Sequence, residues 1–528
     1  MTIDNIDFSI YPSSAKKETL AKGNVNNPSL SIYGNRFIKD QSLAEYLIEF
    51  LLIFSSAKEE NGEGKMSFHE KDAKAYYAPL RNGLRRLLFY EQAKKNKIVP
   101  YDEYAYKRII EVLKKKIEPD YISDSQKEDF IEAVQNLMRG YAAVLKTRRW
   151  CAQNLLPLCP EMIFCEAMPN DRVRMKPVIP KDFAKKVDAK YNPENTYYDT
   201  QFDCTRHNFL GRGGELYYLH LMQAMENDSD AKFDLNKKLN HMLSDKSEYF
   251  TQLCEWIQKS WLTDQGIDPK FELKKFTIGF IPKDAYIHAG KYAVMELRNF
   301  LSCNLHPVKR VELLSLGVML QVLRMLSERA VAYIDSPNVP WIIDMKASQS
   351  DSTVKRLSVK SLSTVSEKFR EATHACLQCR ISEARYGGEV GPTYYKDLKD
   401  GLTDSYEIFK SKGKELKFII PSNGPNERFS LSEDLVRFLV LAIVKPGEKM
   451  NLDMFLKELY EHFGMVIGPA EYQQSDNSVT FFKELTDSFV ANRNAFQDFL
   501  KSCGFLRDLS DATSIVVNPY EPYKTEGN

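Results

Sequence analysis

The chain has 528 residues, with 73 Lys and Arg against 72 Asp and Glu, a formal net charge of +1. Hydrophobic residues make up 43% and charged residues 27%, which excludes a collagen, a disulfide miniprotein and a mostly disordered chain. The neutral total also excludes a uniformly basic nucleic-acid coat, but not local separation of charge, and at about 150 residues per domain the length implies roughly three or four domains.

Residues 1–40 read as a loop-rich arm, with an extended stretch or short strand over 30–38. From Gln41 the pattern turns helical. Leu43, Tyr46, Leu47, Phe50, Leu51 and Phe54 recur at spacings of three and four, as one buried helix face requires. The run 43–57 is too short to span a membrane and carries Glu45 and Glu49, so it is expected to be a buried amphipathic helix. The N-terminus has no basic region followed by an apolar core, and the nine cysteines fall mostly in apolar runs. Reduced thiols in a cytoplasmic protein, with no membrane partner, are the expectation. A polar loop follows over 58–65, then helices over 75–93, 101–116 and 124–146, the last capped by Ser123 or Asp124. These form a basic helical domain, 41–150.

Pro157, Pro160, Pro169, Pro177 and Pro180 break the pattern and mark a domain change. The next unit, 151–300, holds a glycine-rich loop, helices over 216–225, 234–243 and 246–261, and a short strand over 276–280. In 301–424 the spacing predicts helix over 308–332, a strand over 339–346, a Ser/Lys-rich loop over 348–366 and helix over 363–386. In 425–520 it predicts helices over 431–444, from 451 to a stop at Gly464, and over 481–503, then strands over 505–509 and 514–518. Three helices and a terminal hairpin is the order of a winged helix. Residues 521–528 read as a disordered tail. The expected fold class is therefore mainly α, a multidomain helical protein with small β elements and a C-terminal winged-helix-like domain.

Five groups of residues invite a chemical reading. Gly211-Arg212-Gly213-Gly214 precedes a helix, and with Arg206 and His207 it presents amides and cations to an anion. The plainer reading is a tight turn in which Glu215 favours the helix dipole. Asp335, Asp344 and Lys346 resemble the PD-(D/E)xK nuclease pattern, with Glu328 as a further ligand for Mg²⁺. The usual first acid of that pattern lies further upstream on its own strand, and an ordinary salt bridge explains the residues as well. Cys376 and Cys379 have zinc-ligand spacing, with Cys303 and His306 as a distant second pair and His374 nearby. Core cysteines on a helix face are the better explanation, so no metal and no cofactor is expected unless the nuclease reading holds.

From Arg81 to Arg149 there are 16 Lys and Arg against 10 Asp and Glu. Arg81, Arg85, Arg86, Lys114, Lys115, Lys116, Arg148 and Arg149 form clusters that can neutralise phosphates, unless they only solvate helix faces. Lys355, Arg356 and Lys360 are a weaker basic group. From Phe429 to Tyr520 the balance reverses, with 8 Lys and Arg against 13 Asp and Glu. Its third helix offers only Arg493 and Lys501 as cations, so it is expected to dock protein rather than read DNA.

The stretches CPEMIFCEAM (159–168), RHNFLGRGGELYYLHL (206–221) and 431–472 resemble large, uncharacterised components of bacterial anti-phage defence systems of the methylation-associated type. That resemblance covers under a sixth of the chain. It implies a cytoplasmic subunit working with other defence proteins on foreign DNA, and it supplies no catalytic residue. The leading expectation is a non-catalytic subunit that contacts DNA through the basic helices and partner proteins through the acidic module. The alternatives are a metal-dependent nuclease and a purely structural scaffold.

Overall fold

The computed structural model describes residues 10–14, 27–35, 37–70, 74–90, 100–118, 121–143, 150–166, 168–169, 202–203, 212–244, 248–266, 273–283, 286–346, 353–475, 483–510 and 513–523. Of these, 61% are helical and 10% extended. None of the described helices is long and apolar enough to cross a membrane.

The chain opens with β1 (Ile10–Tyr11), α1 (Pro28–Tyr33) and α2 (Leu43–Ser55). The stretch expected to be extended is thus partly helical. Asn27 caps α1 by accepting from the Ser29 amide, and Gly34 ends it at φ +79. Helix α2 starts on a capping box: Ser42 Oγ accepts the Glu45 amide, and Glu45 accepts the Ser42 amide. All of its residues from Glu45 to Phe54 are buried. It is the central rod of the body, as its nearly continuous apolar sequence demands.

Next come β2 (Ala75–Pro79), α3 (Asn82–Phe89), α4 (Pro100–Lys114), α5 (Asp124–Arg139), β3 (Met168–Pro169) and β4 (Phe202–Asp203). They are followed by α6 (Gly213–Ala224), α7 (Ser229–Ser244), α8 (Glu248–Gln265), β5 (Leu273–Thr277), β6 (Ile281–Pro282), α9 (Ile287–Leu301) and α10 (Pro307–Tyr333). Strand β2 pairs antiparallel with β5, and β1 with β6. Helix α2 packs against α6 and α10. The α6 contact is close because Gly213 and Gly214 face it: a Cβ on Gly213 would enter the Tyr46 ring, and one on Gly214 would meet the Tyr46 carbonyl.

The remainder is β7 (Trp341–Ile342), α11 (Thr353–Gln378), α12 (Pro392–Thr403), α13 (Tyr406–Glu415), β8 (Ile419–Ile420), β9 (Arg428–Phe429), α14 (Glu433–Ile443), β10 (Lys449–Asn451), α15 (Leu452–Phe463), β11 (Met465–Val466), α16 (Pro469–Ser475), α17 (Lys483–Ser502), β12 (Leu506–Ser510) and β13 (Thr513–Val517). Two expectations change here. The strand expected over 339–346 is only two residues long, and it pairs parallel with β11. The expected Ser/Lys-rich loop is helix from Thr353 onward, because Val354, Ser358, Ser361, Leu362 and Val365 form one buried face.

At the C-terminus, β10, β13 and β12 form a three-stranded antiparallel sheet with β13 in the middle. The first residues of the expected disordered tail are anchored: the Tyr523 amide donates to the Ser302 carbonyl at 2.8 Å, and the Asn304 amide to Glu521 at 3.0 Å. One contiguous apolar core runs from Tyr11 to Val516, so the body and the C-terminal module share an interior.

Candidate functional site

The α6 N-terminus that follows the glycine-rich stretch is occupied by a carboxyl of the protein itself, and Gly211 lies outside the described residues. Arg212 takes the left-handed conformation at φ +57 just before α6. The α6 N-terminus then offers its amides to Glu49 of α2. Glu49 Oε2 accepts the Gly214 amide at 2.7 Å and the Glu215 amide at 3.3 Å. This is the dipole-stabilised position that an external phosphate would take. Glu215 accepts the Gly279 amide at 2.7 Å and pairs with Arg212 at 3.1 Å. Burial, with the Glu215 charge beside it, pushes the Glu49 carboxyl up to about 8. Of the expected anion ligands, Gly213 and Gly214 serve helix packing and Arg212 serves Glu215. Arg206 and His207 lie outside the described residues.

Two cations of the expected basic surface are turned inward. Helix α3 has eight residues and is wrapped by α4, α5, α8 and the turn Trp150–Ala152, so both faces of an Arg-Arg pair are covered. Arg85 is 0% and Arg86 1% exposed. Arg85 donates to the Cys165 carbonyl and lies 4.7 Å from the Phe164 ring centre. Arg86 stacks near Trp150 and Trp261, at 5.3 and 5.8 Å. Arg81, at φ +50, donates to the Pro160 carbonyl at 3.2 Å. Lys114 bridges Glu111 and Glu128. Lys115 and Lys116 are exposed beyond the end of α4. Arg148 and Arg149 lie outside the described residues. The surface read from the sequence is therefore corrected at Arg85 and Arg86, which are core cations.

The nuclease-like residues are not brought together. Asp344 is fully buried, and its Oδ2 accepts from Arg428 Nε at 2.7 Å. Its Oδ1 accepts the Lys346 amide at 3.0 Å, and its carbonyl accepts from Ser430. Both carboxylate oxygens are thus committed to holding β9 and the end of β7. Asp335 is exposed after α10 at φ +50, on a groove shared with Glu367, Arg370 and His374. The cysteine pairs also remain apart. Cys303 accepts from Asn518 at 3.4 Å, Cys376 is buried in α11, and Cys379 is exposed. Among the described residues, no three His, Cys, Asp or Glu side chains gather in a way that could hold a metal ion.

A different cluster has the geometry of a site. It sits where α9 and α10 meet α15 and the β7–β11 pair. Glu296 and Arg324 are each 1% exposed and form an ion pair at 3.0 Å. His462 Nδ1 lies 2.7 Å from Glu296, and its Nε2 lies 3.3 Å from Glu458. Arg324 also donates to the carbonyls of His462 at 2.7 Å and Ala289 at 3.3 Å, and to Gln321. Its guanidinium lies 4.7 Å from the Phe463 ring centre. Above this network opens a pocket of about 210 Å³, walled by Arg324, Glu328, Trp341, Tyr460, Glu461 and His462, with His288, Ser327, Asn338 and Ser475 around it.

No known protein family, characterised protein or solved structure matches this chain.

The arrangement holds charge at the wall of a half-open pocket. Burial pushes Glu328 up to about 7, against the pull of Arg324 and with the push of Glu296. Glu296 itself is held below the usual carboxylate range: burial opposes ionisation, but Arg324 and His462 outweigh it. Sequence reading noted Glu328 only as a possible metal ligand, and it missed Glu296, Arg324 and His462. The one available signal was a Glu and an Arg on otherwise apolar helical stretches, where an unpaired charge is costly.

Proposed function

We propose that this chain is a non-catalytic scaffold that binds other proteins, with a winged-helix-like C-terminal module used for docking rather than for reading DNA. The observation that carries this reading is the fate of the cations. Arg85 and Arg86 are inside the body. In the C-terminal module Arg493 is held by Asp453 at 2.5 Å and Lys501 by Asp508. Phosphate binding needs uncommitted surface cations, since counterion release supplies most non-specific affinity.

The order α14, β10, α15, β11, α16, α17, β12, β13, with β13 central in the β10–β13–β12 sheet, supports the winged-helix reading, with β11 and the short α16 inserted before the third long helix. In that reading α17 is the groove-entering helix. Its Asn492 is buried, however, and bonds to the Ile343 and Ile467 carbonyls, each at 2.9 Å. Phe489 packs with Val354, Ile342 and Tyr472, so α11 covers part of the same helix. What remains outward on this module includes Glu448, Asp487 and Asp498. An acidic outer face fits a basic protein partner. Work within a cytoplasmic bacterial defence complex is part of the proposal, and it is supported by the sequence resemblance and by the buried free thiols.

The test is co-expression with the products of adjacent genes, followed by size-exclusion chromatography. The expected result is a co-eluting complex that Asp487→Lys with Asp498→Lys weakens. Absence of any complex with all neighbouring products contradicts the reading.

A further inference from the structure

The junction pocket between α10 and α15 carries an inference beyond scaffolding. Its charge can be counted residue by residue. Arg324 is the one guanidinium in its wall. Its terminal nitrogens are already directed to Glu296, Gln321 and the carbonyls of Ala289 and His462. An incoming anion would find that guanidinium spent and would face Glu328 and Glu461 in the same wall. Glu458 stands behind them, against His462.

The acids are less evenly matched. Glu296 is neutralised by Arg324. Glu461 reaches Lys457 only at 3.5 Å on the helix surface. Glu328 is half-buried and has neither a hydrogen bond nor an ion pair among the described residues. Its carboxylate oxygens stay within reach of solvent in the pocket, so a cation can pair with them without displacing a protein partner. Tyr460 adds an aromatic side chain to the lining beside Trp341, which packs against Phe429, and Phe463, whose ring already carries Arg324. Ring faces next to a carboxylate attract organic cations.

We propose that this pocket binds a small organic cation, an ammonium or guanidinium group on a short carbon chain, with Glu328 as its counter-ion. The space agrees with that size. At about 30 Å³ for each water's share of liquid volume, the pocket holds roughly seven water-sized groups. That is enough for a short diamine or the end of an arginine-like chain, and too little for a nucleotide. The raised carboxyl of Glu328 fits an empty counter-ion position, because a bound cation returns it to the ionised form. The site lies where the body meets the C-terminal module, so occupancy also ties α10 to α15.

The experiment is a ligand-observed NMR titration of the full-length protein with agmatine. A short arginine-containing peptide serves as a second arm, to separate a free cation from a side chain offered by a partner. Phosphate is the third arm. The expected result is saturable agmatine binding at or below about 1 mM, weakened tenfold or more by Glu328→Gln. Glu461→Gln is expected to weaken it less. Binding of the peptide but not of agmatine would overturn the free-cation proposal. No saturation by about 10 mM, equal binding by Glu328→Gln, or tighter binding of phosphate would overturn it as well. Thermal unfolding of both variants checks that the pocket is intact. The outcome is independent of scaffolding, because the co-elution test does not involve agmatine.

Discussion

Glu49 Oε2 stands 2.7 Å from the Gly214 amide, although 165 residues separate the two. The α6 N-terminus thereby receives a hydrogen-bond acceptor from α2. The same contact needs a residue without a side chain at 214, since a Cβ there would strike the α2 backbone. One contact serves packing and hydrogen bonding together, and the Gly214 and Glu215 amides that looked open to a ligand are taken by Glu49. Glu49→Ala leaves the Gly214 amide unpartnered and opens a hole in the core. The expected loss is roughly 2–4 kcal/mol in denaturant unfolding. An unchanged midpoint would show that the contact is dispensable.

The same carboxyl predicts a pH effect. Burial and the Glu215 charge raise Glu49 to about 8, above its ordinary 4.5, so the fold favours its protonated form. Its contribution is complete below pH 4.5 and is lost as pH rises through about 8, with a limiting slope of about 1.4 kcal/mol per unit. Glu49→Gln keeps an acceptor oxygen and cannot ionise. Its melting temperature is expected to gain on that of the wild type between about pH 5 and pH 9. A difference that stays flat or moves the other way contradicts the assignment.

Arg85 and Arg86 are expected to behave as core residues. Arg85→Ala and Arg86→Ala each lose packing against an aromatic ring, and Arg85→Ala also orphans the Cys165 carbonyl. The predicted cost is roughly 2–4 kcal/mol each. Lys115→Ala with Lys116→Ala, both exposed, should stay within about 0.5 kcal/mol. Urea unfolding of the variants compares them directly, and equal effects would contradict the inward placement.

Asp344 and Arg428 form a buried pair that a double-mutant cycle can isolate. Asp344→Ala removes the buried charge partner of the Arg428 guanidinium and should cost roughly 3–5 kcal/mol. Asp344→Leu with Arg428→Met should cost less than the sum of the two single changes. Strict additivity would mean that the pair contributes nothing as a unit.

Much of the helical plan was legible. The stripe from Leu43 to Phe54 announced a buried helix, and Ser432, Asn451 and Gly464 cap the C-terminal helices close to where their sequence placed them. The terminal hairpin was legible, expected over 505–509 and 514–518 and found as β12 and β13, but most of the other short strands were not. Three-residue β10 exists because Asn451 faces Ile515 and Lys449 faces Val517, pairings that no local pattern encodes. Arg85 and Arg86 misled for a related reason. Charge argues for solvent, but a short helix surrounded on all sides leaves them none, and Phe164, Trp150 and Trp261 receive them from distant parts of the chain. Sites made from partners far apart in sequence were the hardest to see. Glu296 meets Arg324 across 28 residues and His462 across 166.

The most direct test of the scaffold account is a fluorescence anisotropy titration of the full-length protein with labelled single- and double-stranded DNA at about 50 mM salt. With Arg85 and Arg86 buried and Arg493 and Lys501 paired, the account predicts no saturable binding below about 100 μM. Micromolar or tighter binding, with log affinity falling steeply and linearly against log salt, would contradict it and return the chain to the nucleic-acid-binding proteins.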